Sequence, residues 1–154
     1  MPRAKPSLAS QDGPDINTST AMAATARRTS GTVTGPPRRW LRLEAGALLA
    51  GALLAYSTTG QPWWLVPLAI LLPDLLAAGY LGGTRLGAHL YNLAHTTLLP
   101  AAVSGLGWWQ GKPLILALGL IWLAHIGADR LLGYGLKYDD DFQHTHLGQP
   151  GGTP

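Results

Sequence analysis

Cysteine is absent from this chain of 154 residues. Disulfides, thiolate metal sites and cysteine nucleophiles are therefore excluded. Charge is scarce: 12% of residues are Asp, Glu, Lys or Arg, against roughly 25% in a soluble domain. No phosphate-cradling Gly-rich loop, Ser-His-Asp arrangement or nucleotide fingerprint occurs. Gly133-Tyr134-Gly135 lacks the Thr-Val and the pore helix that a potassium filter needs.

Hydrophobic residues, at 47%, fill the space that charge leaves. The net charge of +3 does not indicate a nucleic-acid partner, because seven of the eleven basic residues (Arg3, Lys5, Arg27, Arg28, Arg38, Arg39, Arg42) lie before or at the first apolar segment. That is where the cytoplasmic flank of a membrane anchor carries its positive charge. Pro37-Arg38-Arg39-Trp40-Leu41-Arg42 resembles a twin-arginine export signal. Glu44 interrupts the following run and further apolar segments come later, so we read it as a flank.

Residues 1–37 read as a disordered basic tail, 38–138 as a transmembrane domain and 139–154 as a polar C-terminal tail. Four apolar segments fall at about 41–58, 63–82, 86–106 and 113–132, each long enough to cross ~30 Å at ~1.5 Å per residue. Pro67 and Pro73 predict a kink in the second. Gly46/Ala50 and Ala47/Gly51 would let a neighbouring helix approach the first closely. Trp40, Trp63, Trp64, Trp108 and Trp109 stand at segment ends, as an interfacial belt requires. The fold expected is all-α: a polytopic membrane protein with a bundle of about four transmembrane helices. The bilayer is its partner, and a homo-oligomer stays open. The N-terminal charge bias places it in the inner membrane with both termini cytoplasmic.

Ionisable groups inside the bilayer cost at least ~2.5–3.5 kcal/mol each at a helix centre, so their presence needs a reason. Counted inward from the cytoplasmic side, Glu44 and Asp129 lie ~5 Å deep, and Asn92, Asp74, His125 and His95 lie ~9–14 Å deep. Every segment thus contributes a polar group at similar depth. His125 and Asp129, spaced by four, share a helix face, and Asn92 and His95 nearly do. Asp74, His95, His125 and Asp129 are the candidate ligands of a divalent Zn, Mn or Fe ion. A catalytic ion would also lower the pKa of a water at an open position. Glu44 is the candidate general base, Asn92 orients substrate, and Arg130 or Arg85 holds an anionic headgroup. The alternatives are a packing network of neutralised charges and a proton or ion relay in a transporter. Asp139-Asp140-Asp141 with His144 and His146 reads as a solvated acidic tail rather than a second metal site.

Several motifs recur in a known order: Leu43-Glu44, Pro73-Asp74, Gly79-Tyr80, Tyr91-Asn92-Leu93-Ala94-His95, Leu99-Pro100, Trp122-Leu123-Ala124-His125-Ile126-Gly127, Asp129-Arg130, Gly133-Tyr134-Gly135-Leu136-Lys137-Tyr138 and Thr145-His146-Leu147-Gly148. Over about residues 40–148 they resemble a bacterial family of small membrane proteins known as domain of unknown function 4260. The resemblance implies a small helical membrane domain and no particular activity. More distantly, Pro73-Asp74, Arg85 with His95-Thr96, and His125 with Asp129 are similar in order to inner-membrane metal-dependent hydrolases of the YdjM type. That family often has a second acid after Pro-Asp, where Leu75-Leu76 stand here. Its basic residue adjoins the His motif, whereas Arg85 lies well upstream of His95. This likeness implies a metal-dependent hydrolase.

Overall fold

The computed structural model describes residues 16–29 and 31–148. Among these residues the chain is helical, with no strand; an isolated antiparallel bridge joins Lys137 to Thr145. The chain divides into two units, Met1–Ser30 and Gly31–Pro154. The first contains α1 (Ile16–Thr29), where the sequence shows no apolar period. Ala21, Ala23, Ala24 and Ala26 favour helix without one. The rest of the expected disordered tail up to residue 15 lies outside the described residues.

The second unit is built around α6 (Pro113–Leu132). Pro113 opens it, where a missing N–H costs nothing, and Gly133 closes it at φ 101° in the left-handed conformation. Against one side packs α2 (Gly35–Ser57), and against another α5 (Leu98–Trp109). Both contacts rest on glycines of α6. A Cβ on Gly127 would lie 2.7 Å from the Leu49 amide of α2, and one on Gly119 would lie 2.7 Å from the Ser104 amide of α5. Of the small residues expected to do this on α2, Gly46 is half-buried with a Cβ there 3.4 Å from Leu131 of α6, but Ala47, Ala50 and Gly51 are exposed, and Ala45 and Ala52 are the buried ones. Spacing by four marks a possible contact face, but only the partner decides which face is used.

The second and third apolar segments are not continuous α-helices. The second consists of α3 (Leu65–Ala69) followed by a 3-10 helix over Leu72–Gly82. Pro73 cannot donate to the Ala69 carbonyl, so the α-helical ladder stops there. In the 3-10 stretch, residues three apart eclipse, and Leu72, Leu75, Ala78 and Leu81 all point outward. Asp74, Ala77 and Tyr80 share the opposite, half-buried side. The third segment breaks into α4 (Thr84–His95) and α5, with Thr96 extended at φ −78°, ψ 142°. Pro100 has no N–H for the Thr96 carbonyl and its ring clashes there. The 3-10 helix and α4 form an antiparallel hairpin, with the Tyr80 ring lying where a Gly87 side chain would be.

Among the described residues two helices, Leu65–Gly82 and Pro113–Leu132, are long and apolar enough to cross a membrane. The molecule also carries an outward-facing apolar surface, including Leu68 at 67%, Leu75 at 68%, Leu81 at 94% and Leu98 at 76% exposure. Soluble monomers rarely expose contiguous apolar surface on that scale. The two ends of the unit meet. Val33 donates its amide to the His146 carbonyl at 2.8 Å, and Thr32 Oγ1 donates to the Thr145 carbonyl at 3.2 Å. Residues 133–148 close over this end, burying Lys137, His144, Thr145 and Leu147. The polar composition of 139–148 therefore hides a packed cap.

Candidate metal centre

The break after His95 leaves the last carbonyls of α4 without helical partners, and α6 supplies them. Trp122 Nε1 donates to the Ala94 carbonyl at 2.6 Å, and Arg130 donates to the His95 carbonyl at 3.1 Å. These two bonds set the end of α4 against the middle of α6, which brings His95 to His125. Pro73 turns the chain so that Asp74, in the first turn of the 3-10 helix, arrives at the same point.

Four donor atoms converge there. His95 Nε2 lies 3.1 Å from His125 Nε2, 3.3 Å from Asp74 Oδ1 and 3.6 Å from Asp129 Oδ2. His125 Nε2 lies 3.5 Å from Asp74 Oδ1 and 3.7 Å from Asp129 Oδ2. All four atoms lie within 4.8 Å of one another, the only such group among the described residues. Ligands at 2.0–2.2 Å around a tetrahedral ion stand roughly 3.3–3.6 Å apart. The residues present therefore fit a divalent ion of first-row size.

The protonation of His95 points the same way. Its Nδ1 is 2.8 Å from the Tyr91 carbonyl, which can only accept, so Nδ1 carries the hydrogen. In the neutral ring Nε2 then offers a lone pair into the cluster. With His125 in the same tautomer, lone pairs from two imidazoles and two carboxylates would repel unless a cation lay among them. A carbonyl that fixes the far nitrogen is also the usual outer support of a ligating histidine. Both imidazoles are 4% exposed at the side chain, Asp129 is 22% and Asp74 44%, so the group opens on the Asp74 side.

Tyr91, to which the sequence attached no role, supports two of the donors. Its ring stacks on His95 at 3.6 Å with a 10° tilt, and its hydroxyl donates to Asp129 Oδ2 at 3.3 Å. The signal was present as the i, i+4 spacing of Tyr91 and His95. Lys137 lies over the Tyr91 ring at 4.5 Å and over Phe142 at 3.6 Å, and donates to the Phe142 carbonyl at 2.8 Å. Burial lowers the pKa of its ammonium, while the carboxylates of Asp129 and Asp74 pull the other way.

The remaining candidates are placed elsewhere. Asn92 accepts from the Lys137 amide at 2.7 Å and donates to the Lys137 carbonyl at 2.8 Å, clamping the cap to α4. Glu44 lines a second cavity of about 150 Å³ with Arg130 and His146. Arg85 makes an exposed ion pair with Asp139 at 3.8 Å. His89 is exposed. In the acidic run, Asp140 accepts from His144 Nδ1 at 2.8 Å, and His146 Nδ1 accepts from the Leu136 amide at 2.8 Å.

Residues 38–149 match the family model described as a domain of unknown function (DUF4260), and the chain belongs to that family. No curated protein and no solved structure matches the chain.

Proposed function

We propose that the chain is an integral membrane hydrolase that holds one divalent ion at Asp74, His95, His125 and Asp129 and cleaves an ester or phosphoester of a membrane lipid. The observation that carries this reading is the meeting of four lone-pair donors at metal-ligand spacing, supplied by three separate elements. The distant resemblance in motif order to YdjM-type hydrolases agrees with it. Four membrane crossings follow if α4 and α5 count as one broken span. Arg38, Arg39, Arg42, Arg130 and Lys137 then gather at the end where residues 32–33 meet 145–146, which supports cytoplasmic termini.

A bound divalent ion would supply a Lewis acid and an acidified water. Asp74 is the most exposed donor and directs Oδ1 at the imidazoles, leaving Oδ2 to take the proton from the attacking water. The oxygen of that water bonds to the carbonyl carbon or phosphorus, the bond to the alcohol breaks, and the proton passes to the leaving oxygen. Tyr91 holds Asp129 and the His95 ring in place. Asn92 and Arg130 act as positioning residues, through the cap and the end of α4.

Purified full-length protein in mild detergent tests this. The wild type should carry one ion per chain and hydrolyse a lipid ester or phosphoester. His125→Ala should lose both metal and activity, and Asp74→Asn should lose activity. A second reading rests on the donor count: four protein ligands close a tetrahedral zinc site. Bound zinc without hydrolysis would favour that structural role.

A further inference from the structure

Beside the four donors lies an apolar cavity of about 280 Å³, lined by Leu72, Pro73, Leu76, Val103, Leu118 and Trp122. Its walls come from the end of α3, the 3-10 helix, α5 and α6, and it adjoins the centre twice. Pro73 lines the cavity and Asp74, the next residue, is a donor. Trp122 lines it one helical turn before His125, and its indole N–H binds Ala94, the neighbour of His95.

Two observations decide what fills it. The indole N–H is the one side-chain polar group in the lining, and it is already bonded to Ala94, so a polar ligand would lose its hydration without compensation. Leu72, Leu76 and Leu118 at the rim are 54%, 38% and 37% exposed. They belong to the two helices among the described residues that are apolar and long enough to cross a membrane, so on the membrane reading the rim faces hydrocarbon.

We infer that this cavity receives one hydrocarbon chain of the substrate, with the cleavable bond of a single acyl or alkyl tail held at the four donors. The inference rests on the hydrolase reading for the cleaved bond, but not for the occupancy. Pro73 and Trp122 couple the two: the chain enters along Leu76 and Leu118, and its polar end reaches Asp74. Depth would then select chain length, with Val103 contributed to the wall by α5.

The test uses purified full-length protein and a long-chain fatty acid carrying a diazirine near its methyl end. After irradiation, adducts are mapped by mass spectrometry. Adducts should concentrate on Leu76, Val103, Leu118 and Trp122 over exposed residues such as Leu54 and Leu132. Val103→Trp and Leu76→Trp, which fill the cavity from two different elements, should reduce cavity adducts to the level of those exposed residues while metal content and thermal transition are retained. In the hydrolysis assay both should shift preference toward shorter chains. Adducts spread evenly over the apolar surface overturn the inference, as does a cavity closed to the probe by a second copy of the chain. Cavity adducts on a protein without metal or hydrolysis would sink the hydrolase reading and leave the chain-binding site standing.

Discussion

His95 acts at both ring nitrogens and at its backbone. Nδ1 is tied to the Tyr91 carbonyl, Nε2 faces the other donors, and the carbonyl holds Arg130. Tyr91 adds a stacked ring and a hydroxyl on Asp129. Tyr91→Phe keeps the stack and loses the hydroxyl, so metal affinity should fall about tenfold with the fold intact, at the lower end for an outer support because the bond is long. Titration with a competing chelator reads this. Asn92→Ala should behave in the opposite way. It strands the Lys137 amide and carbonyl, so thermal denaturation should show a loss of about 1–3 kcal/mol with metal content unchanged. The four donors were legible in the sequence because acids and histidines stand out in apolar runs. The use of Asn92 was not: its partner is backbone, 45 residues away, and leaves no trace in residue type.

At the scale of the element, prolines do more than kink. Pro73 and Pro100 each end a helical ladder, and each break delivers a donor, Asp74 or His95, to α6. Pro100→Ala restores an amide for the Thr96 carbonyl and favours one continuous helix. Metal affinity should fall at least about tenfold even though local helix propensity rises. The apolar runs identified where helices occur, but not that two of them are broken, because hydrophobicity is the same on both sides of a break. Glycine spacing misled for a related reason: close approach depends on the partner's surface. Gly127→Ala should cost about 1–3 kcal/mol by pushing against the α2 backbone. Gly51→Ala, with nothing within 4 Å of the new methyl, should stay within about 1 kcal/mol of wild type. Thermal unfolding in one detergent compares them.

At the scale of the whole molecule, large leucines along the helices of the second unit are exposed, as are the tryptophans at its segment ends. Trp63, Trp64, Trp108 and Trp109 are 56%, 64%, 76% and 78% exposed, while Trp122 alone turns inward to a hydrogen bond. The absence of cysteine makes orientation directly measurable. A membrane-impermeant thiol reagent should label Gln110→Cys from outside intact cells and Gln143→Cys only after the membrane is opened. The cap over the meeting ends was hidden from the sequence by its polar composition, yet it buries Leu147 and Thr145 to 1% exposure. All of these features converge on one group of donors, and the ion content of the purified chain tests that group most directly. Elemental analysis should find one divalent ion per wild-type chain and none in a folded His125→Ala variant, whose thermal transition falls with the lost ion. A well-folded wild type that takes up no divalent ion, even when Zn, Mn or Fe is supplied, would contradict the account.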